Sequence, residues 1–179
     1  MLYSYKISFS NKIIRFAWLV VYYLAYRPSP VFIHGWRRFL LRCFGAKIGA
    51  RAHPYPSAIV WAPWNLEMGD DSCLSHHVDC YNVAKITLGT NSTVSQYSFL
   101  CTATHDYSKK DFPLLVAPIS IGSHAWITAD VFVGPGVTIG EGSVINARSS
   151  VFSDIESWVV AKGIPARVHK SRTINKGTL

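Results

Sequence analysis

Four histidines in the middle of the chain, His76, His77, His105 and His124, are its best candidates for proton transfer or metal binding. A histidine side chain has an ordinary pKa of about 6.5, so it is mostly neutral at pH 7 and suits a general base, which typically contributes about 10²- to 10⁴-fold to a rate. His76 and His77 are adjacent, and in a strand they would point to opposite faces, so one metal site would rarely use both. A single histidine in a loop is weak evidence on its own, so its position matters.

The part of the chain that must position these side chains repeats with a period of six. When the chain from residue 121 is divided into blocks of six, the first residue of each block, called its opener, is Ile or Val, and the fifth residue suits a crowded interior. The openers are Ile121, Ile127, Val133, Ile139, Ile145 and Val151, and the fifth places are Ala125, Val131, Val137, Ser143, Ser149 and Ile155. A helical face recurs near every 3.6 residues and a strand face every 2, so neither explains the period. Gly, Pro and Asn after many openers mark turns. The pattern predicts an all-β fold of short strands and corners, stacked as triangular coils of about 18 residues.

The same register predicts about four coils. It extends upstream through two further sets, Met68, Leu74, Cys80, Leu88, Val94, Leu100 and Ser72, Val78, Ala84, Ser92, Ser98, Thr104. Ile48 and Ala52 fit only an incomplete first turn. A loop excursion at residues 106–120 leaves the prism just after His105 and rejoins it at Ile121. Long excursions from a rigid scaffold often carry function, which draws attention to His105.

Charge and cysteine usage describe the rest of the 179-residue chain. Residues 1–66 contain nine Lys or Arg and no acidic residue, residues 67–156 contain ten acidic and four basic residues, and residues 157–179 contain five basic and no acidic residues. Both ends are therefore basic and the predicted prism is acidic. The cysteines, at Cys43, Cys73, Cys80 and Cys101, show no paired spacing, which favours free thiols in a reducing, cytoplasmic compartment.

The N-terminal segment, residues 1–45, is apolar and basic. Residues 13–26 are apolar apart from Arg15 but fall short of the roughly 20 residues that span a bilayer, and no small-residue cleavage site follows before Pro28. We therefore expect neither a transmembrane helix nor a removed signal peptide. Residues 31–45 predict a basic amphipathic helix that ends at Gly45, with one apolar side formed by Phe32, Trp36, Phe39, Leu40 and Cys43.

Two interpretations of this segment remain open, and both can hold at once. One face of the helices could cap the open end of the prism. Another could dock on an anionic membrane surface, where each nearby Lys or Arg contributes on the order of 1 kcal/mol. The second interpretation predicts a peripheral position on the cytoplasmic face of a membrane.

Several motifs together resemble the left-handed β-helix acyltransferases. These are the hexapeptide register, "CTATHDY" at residues 101–107, "IGSHAWITADVFVGPGVTIG" at residues 121–140 and "GIPARV" at residues 163–168. The chain is most similar to the colanic acid biosynthesis acetyltransferases and to the maltose, galactoside and nodulation-factor O-acetyltransferases. The resemblance implies a left-handed β-helix at residues 46–170, between the helical segment 1–45 and a basic tail 171–179. It also implies a homotrimer with active sites between neighbouring prisms and no nucleic-acid partner.

The resemblance further implies acetyl transfer from acetyl-CoA to a carbohydrate hydroxyl, without a metal. His105 matches the catalytic histidine, a general base acting on the acceptor hydroxyl. Asn82 lies one coil earlier, where relatives carry an Asn or Asp that contacts the acceptor, although a corner Asn that stabilises its own turn is an equal alternative.

Positions for CoA also carry over from the family. Trp126 matches an aromatic residue that lines the site, and Ala129 and Ala147 match small positions that meet the pantetheine arm. Arg167 and Lys170 match a basic pair near the nucleotide phosphates, which need charge-assisted partners. Relatives often have a Lys where this chain has Ser153, and Lys162 is the candidate to replace it.

Two other function classes use a prism of this kind. A γ-class carbonic anhydrase-like enzyme shares the prism and builds a zinc site from histidines of two subunits, but the two ligands that this class places five residues apart are missing here. His105 and the basic C-terminal segment argue against the second class, a non-catalytic β-helix scaffold. The sequence predicts a sugar O-acetyltransferase of surface polysaccharide or glycan biosynthesis, with the acceptor sugar unspecified.

Overall fold

The computed structural model describes residues 2–174, and three parallel sheets form its main body. Strands are numbered along the chain. The first face contains β2 (Lys47–Ile48), β5 (Leu66–Met68), β8 (Ile86–Leu88), β13 (Ile119–Ile121) and β16 (Thr138–Ile139). The second contains β3 (His53–Pro54), β6 (Cys73–Leu74), β9 (Thr93–Val94), β14 (Trp126–Ile127), β17 (Val144–Ile145) and β19 (Val159–Gly163). The third contains β4 (Ile59–Val60), β7 (Asp79–Tyr81), β10 (Phe99–Cys101), β15 (Phe132–Val133) and β18 (Ser150–Val151). The result is the predicted left-handed parallel β-helix.

The interior of the prism is built from the openers and fifth places of the hexapeptide register. Equivalent residues of successive coils pair in register, so that Leu88 lies between Met68 and Ile121 on the first face. All openers from Met68 to Val151 are buried, which stabilises the fold by about 1.5–3 kcal/mol for each large aliphatic side chain. Thr104 is the exception: it was predicted to point inward, but it is exposed because its strand has already left the prism.

The number of coils differs from the predicted four. The chain makes five complete coils, and a sixth begins with a bridge from Ile139 to Ile155 and continues into β19. The extra coil at the start was missed because Pro54 occupies an opener position. Proline lacks an N–H and is therefore confined to edge strands. β3 is such an edge strand, and the carbonyl of Pro54 faces the N-terminal helices rather than another strand.

The excursion is a β-hairpin rather than a loop. Its strands, β11 (Ala103–His105) and β12 (Leu114–Val116), pair antiparallel, and β1 (Tyr3–Ser4) adds a third strand beside β12. The base of the hairpin packs in a small apolar cluster with Val83, Ala84, Ala103 and Val116 buried. The chain re-enters the prism at Ile119, two residues earlier than predicted.

Two helices precede the prism, within the N-terminal helical segment that the sequence predicted. α1 (Phe9–Val21) begins after Ser8, whose hydroxyl accepts a hydrogen bond from the Asn11 N–H, and it continues through a π-helical turn, Tyr22–Tyr26. α2 (His34–Cys43) is followed by Gly45, whose φ of +88° suits glycine. A single 3₁₀ turn at Pro63–Asn65 lies between the first and second coils. Within residues 2–174, neither helix has the length and apolar run needed to cross a bilayer.

These helices cap the first coil. Side chains from the helices donate to the main-chain carbonyls along its open edge: Trp18 Nε1 to Val60 at 2.7 Å, Arg38 to Ala52 at 2.8 Å and Arg42 Nε to Ile48 at 3.0 Å. An unpaired buried carbonyl is unfavourable, so these donors replace the strand that the edge lacks. The capping interpretation is therefore confirmed.

Arg37 is the centre of the cap. It is fully buried, and its guanidinium donates to the carbonyls of Pro54, Pro30 and Val31 and to the Ser29 hydroxyl at 2.6–2.8 Å. Burial lowers the pKa of this group, while the surrounding oxygens keep every face of the guanidinium hydrogen-bonded. One side chain thereby joins the helices, their connecting loop and β3.

The opposite end of the prism is closed differently. β20 (Ala166–Ser171) turns back and pairs antiparallel with β19. Beyond it, Arg172 donates to the carbonyls of His124 and Gly142 and lies near the ring of Trp158. Ser171 and Arg172, the first two residues of the predicted tail 171–179, are therefore part of the fold. Residues 175–179 lie outside the described residues.

Candidate active site

His105 is the last residue of β11 and lies exposed at the corner between the third and first faces. Its Nδ1 is 2.6 Å from the main-chain carbonyl oxygen of Phe112. A carbonyl only accepts hydrogen bonds, so Nδ1 must carry the hydrogen. In the neutral ring, Nε2 is then the unprotonated nitrogen with a lone pair available. This is the tautomer that a general base acting through Nε2 requires.

The hairpin holds His105 in place. Phe112 has a φ of +44°, an uncommon conformation for a bulky residue, and its N–H donates to the Lys109 carbonyl at 3.1 Å. His105 pairs directly with Leu114 across the ladder. Asp106 follows His105, but its carboxylate accepts hydrogen bonds from the Ser108 main chain and side chain, which lower the pKa of that carboxyl. The Phe112 carbonyl, and not this carboxylate, therefore orients the imidazole.

Asn82 lies at the same corner as His105 but is fully buried. Its amide oxygen accepts from the Ala62 N–H at 2.9 Å, and its amide nitrogen donates to the Ala62 carbonyl at 2.6 Å. The Asn82 side chain thus joins two successive coils. This corresponds to a structural corner residue more closely than to a side chain that contacts an acceptor.

Trp126, Ala129 and Ala147 line one open groove of about 640 Å³ at the corner between the second and third faces. Trp126 is 48% exposed, and its indole N–H donates to the Ser95 hydroxyl at 2.9 Å. The two alanines project only methyl groups, so the main chain beneath them is open to close approach by a ligand. Ser95 was not predicted, although its place just after the opener Val94, one coil before Trp126, marks it as an outward neighbour.

The basic residues predicted for CoA lie at the end of this same face. Lys162 pairs with Arg167 across β19 and β20, and Lys170 pairs with Val160. Val160 is in register with Val144, and Val144 is in register with Trp126. The face that carries Trp126 therefore continues to β19 and to its antiparallel partner β20, which we call the basic strand because it carries Arg167 and Lys170. All three basic side chains are exposed.

The structure therefore sorts the predicted residues into two groups. His105 and Asn82 lie at the corner between the third and first faces. Trp126, Ala129 and Ala147 lie at the corner between the second and third faces, with the basic strand beside them. Within one chain, the third face separates the histidine from the groove.

The other histidines and the cysteines have different environments. His76 and His77 were predicted to lie in a strand, but they form a corner in which His77 has a φ of +57° and stacks on Tyr97. Within residues 2–174, no three His, Cys, Asp or Glu side chains of one subunit cluster as metal ligands. Cys80 and Cys101 are buried, and burial raises the pKa of both thiols.

Comparison with known proteins places this arrangement in a family. No family model matches the chain. It is, however, 44% identical over 155 residues to the colanic acid biosynthesis acetyltransferase WcaF of Escherichia coli K12, an alignment that covers 87% of this chain and 85% of that protein. The chain belongs to the hexapeptide-repeat acetyltransferases. This acetyltransferase is also 31% identical to the galactoside O-acetyltransferase of E. coli over 135 residues, which is 74% of this chain and 66% of that enzyme.

Solved structures agree with this assignment. The hexapeptide-repeat acetyltransferase VCA0836 of Vibrio cholerae in complex with acetyl-CoA has a TM-score of 0.81 and 26% identity, covering 93% of this chain and 91% of that one. The maltose O-acetyltransferase of Clostridium difficile has the same fold, with a TM-score of 0.84 at 24% identity over 93% of this chain and 90% of that one. The predicted family and left-handed β-helix fold are confirmed.

Proposed function

We propose that this acetyltransferase moves an acetyl group from acetyl-CoA to a hydroxyl group of a sugar, with His105 as the general base. The observation that carries this proposal is the hydrogen bond from His105 Nδ1 to the Phe112 carbonyl, because it leaves Nε2 unprotonated and exposed. The named activities of the relatives support the reaction class, and the acetyl-CoA complex of the V. cholerae relative supports the donor.

The reaction proceeds by direct transfer. His105 Nε2 accepts the proton of the acceptor hydroxyl as its oxygen attacks the thioester carbonyl. The carbon–sulfur bond then breaks, and the imidazolium returns the proton to the departing sulfur of CoA. Cys101 is the thiol closest to His105 in the sequence, but its buried Sγ donates to the Ala103 carbonyl and burial raises its pKa. A thiol in that state is a poor nucleophile, so no acyl-enzyme is needed.

The acceptor belongs, in this proposal, to a surface polysaccharide or glycan that is assembled on the cytoplasmic side of a membrane. The name of the 44% identical relative supports this role. Mass spectrometry of surface glycan should show a loss of acetyl groups in cells that lack the gene. Wild-type protein should restore the acetyl groups, and the His105→Asn variant should not. Unchanged acetylation after deletion of the gene would contradict the role.

Donor binding is assigned to the groove at Trp126 and the basic strand beside it. Replacing Arg167 and Lys170 together with Ala should raise the KM for acetyl-CoA about tenfold and change kcat little, because charges far from the reacting carbonyl contribute equally in ground and transition states. Replacing Lys47 and Arg51 with Ala removes the same charge from the first coil and is the matched control. An unchanged donor KM in the Arg167 and Lys170 variant would mean that these side chains are only solvated.

We propose a homotrimer in which each active site combines His105 of one subunit with the Trp126 groove of its neighbour. The support is the position of the two groups at different corners of one chain. Light scattering should give roughly 60 kDa, three times the 20.0 kDa chain. An active monomer would refute this assembly.

Mixed trimers provide a sharper test of the shared site. His105→Asn blocks proton transfer, and Ala147→Trp should fill the donor groove. Each variant alone should be inactive. Co-refolded at equal amounts, they should recover about a quarter of wild-type activity, since that share of interfaces pairs an intact histidine with an intact groove. No recovery in proven mixed trimers would place both groups in one subunit's site.

A peripheral membrane contact through residues 1–45 completes the proposal. The outer side of α1 and of the π-helical turn that continues it keeps Phe9, Phe16 and Leu24 largely exposed, and the segment carries no acidic residue. Changing all three to Ser should reduce binding to phosphatidylcholine vesicles with 20% phosphatidylglycerol at least fivefold and leave acetyl-CoA binding unchanged. Ile174→Ser, also exposed, is the control. Vesicle binding that persists in the triple variant would contradict the contact.

A further inference from the structure

A second cavity, of about 330 Å³, lies between α1 and strand β4 of the first coil, and its wall residue Trp61 packs against the apolar cluster at the base of the His105 hairpin. We call it the α1 groove. Phe16 and Trp61 form apolar walls, while Lys12, Arg15 and Arg27 provide positive charge. Its volume is within the range of small-molecule sites.

Two buried polar groups in the wall of the α1 groove have no hydrogen-bond partner within residues 2–174. They are Nε of Arg15 and the hydroxyl of Tyr22, which lies beside the Arg27 side chain without a hydrogen bond of good geometry. The Arg15 guanidinium carbon lies 3.6 Å from the centroid of the Trp61 ring, so the ring covers one face of the charge without accepting its N–H groups. Burial lowers the pKa of Arg15 and raises the pKa of Tyr22. Buried donors without partners are rare in folded proteins, and a ligand with acceptor atoms is one group that would satisfy them.

The charge around the α1 groove favours an anion. Three of its lining residues are basic and none is acidic. One acidic group, Asp79 of β7, pairs with Ile59 at the edge of the groove, and burial raises the pKa of this carboxyl. Arg15 and Tyr22 both offer hydrogens, so the complementary group is one with several acceptor oxygens.

The apolar surroundings indicate that this anion is attached to a hydrocarbon chain. Phe16, Leu19 and Tyr23 line the groove and are also exposed beyond it, at 68%, 49% and 58%. They lie on one face of the helix between Lys12 and Arg27. A free nucleotide or sugar phosphate would leave these side chains in water, whereas a lipid tail would cover them.

We infer that the α1 groove binds the phosphate headgroup of a membrane lipid, with Arg15, Tyr22 and Arg27 on the phosphate and the tail along Phe16 and Leu19. This inference builds on the membrane contact proposed above and reduces it to one saturable site. It is independent of the acetyl-transfer chemistry. The site makes lipid binding specific for a phosphate headgroup. Binding through surface charge alone would not have this specificity.

The direct test is calorimetric titration of the full chain with n-dodecyl phosphate below its micellar concentration. We expect one molecule bound per chain, at least tenfold tighter than inorganic phosphate or dodecyl maltoside. Equal binding of dodecyl maltoside would reduce the groove to a non-specific apolar surface. Equal binding of inorganic phosphate would make it a free-anion site. Either result overturns the inference.

Two variants locate the site. Arg15→Gln should weaken dodecyl phosphate binding at least tenfold. Tyr22→Phe should weaken it about fivefold without lowering the melting temperature, because the removed hydroxyl has no partner within residues 2–174 of the free protein. Lys47→Gln, an exposed basic residue on the same coil, should leave binding unchanged. If Tyr22→Phe retains wild-type affinity, the phosphate is not bound here.

Vesicle binding and dodecyl phosphate binding test different claims, so one can fail while the other succeeds. If the wild-type protein binds dodecyl phosphate but does not bind vesicles, the membrane contact is contradicted and the site stands. If the wild-type protein binds vesicles but not dodecyl phosphate, the site is contradicted and the membrane contact stands. Acetyl-CoA binding, measured in parallel, reports on the proposed enzymatic function independently of both.

Discussion

The His105→Asn variant should lose about 10²- to 10⁴-fold in kcat while binding CoA with nearly wild-type affinity. Asparagine keeps the main-chain pairing of β11 and removes only the base. Because His105 is exposed and the base of the hairpin is held by Ala103 and Val116, the fold should survive. The measurements are steady-state kinetics with saturating acceptor, calorimetry with CoA, and a thermal melt of each variant.

Cys101→Ser is the matched control for this experiment. It changes a side chain in the same segment and should keep most of the activity, since direct transfer needs no thiol. Mass spectrometry of the enzyme mixed with acetyl-CoA alone should show no stoichiometric acetyl adduct. Full activity of His105→Asn, or an adduct on Cys101, would contradict the proposed mechanism.

The Arg37→Leu variant should lower the free energy of unfolding by roughly 3–5 kcal/mol. Three carbonyls and one hydroxyl lose their charged donor, and leucine cannot replace any of these hydrogen bonds. Those groups stay buried unless the helices move away from the prism. Chemical denaturation followed by circular dichroism measures the change.

Arg51→Leu is the control for Arg37→Leu. Arg51 forms ion pairs with Asp70 and Asp71, but it is 65% exposed, and exposed pairs contribute little to stability. Its loss should change the unfolding free energy far less than the loss of Arg37 does. Equal effects of the two variants would mean that the buried hydrogen bonds of Arg37 do not hold the cap in place.

The sequence predicted the interior of the prism well because crowding inside a narrow triangle tolerates few residue types. Ile121 and its equivalents recur at fixed spacing since each occupies the same place in successive coils. Pro54 broke the pattern and concealed a coil, although the edge of a sheet is where proline fits. Thr104 stands at the spacing expected of an interior residue, but its side chain is exposed. No period reveals where a strand leaves the prism, because that depends on tertiary pairing with Leu115.

The candidate site was predictable in its residue types but not in its contacts. His105 was found through a motif, whereas its partner is a main-chain carbonyl, and every residue has one. Asn82 shows the converse case: its type suited a ligand contact, and the fold uses both of its amide atoms internally. Composition indicated two basic ends and an apolar N-terminal segment, but the surroundings of the Tyr22 hydroxyl depend on how the N-terminal helices pack against β4.

The helical cap has a further consequence for how the protein behaves in solution. A β-helix without a cap ends in three short rows of unpaired carbonyl and N–H groups, which can template pairing with another molecule. The N-terminal helices cover this edge with side-chain donors from Trp18, Arg38 and Arg42. They therefore keep the solenoid finite: they prevent one prism from stacking on the next and growing end to end into fibres.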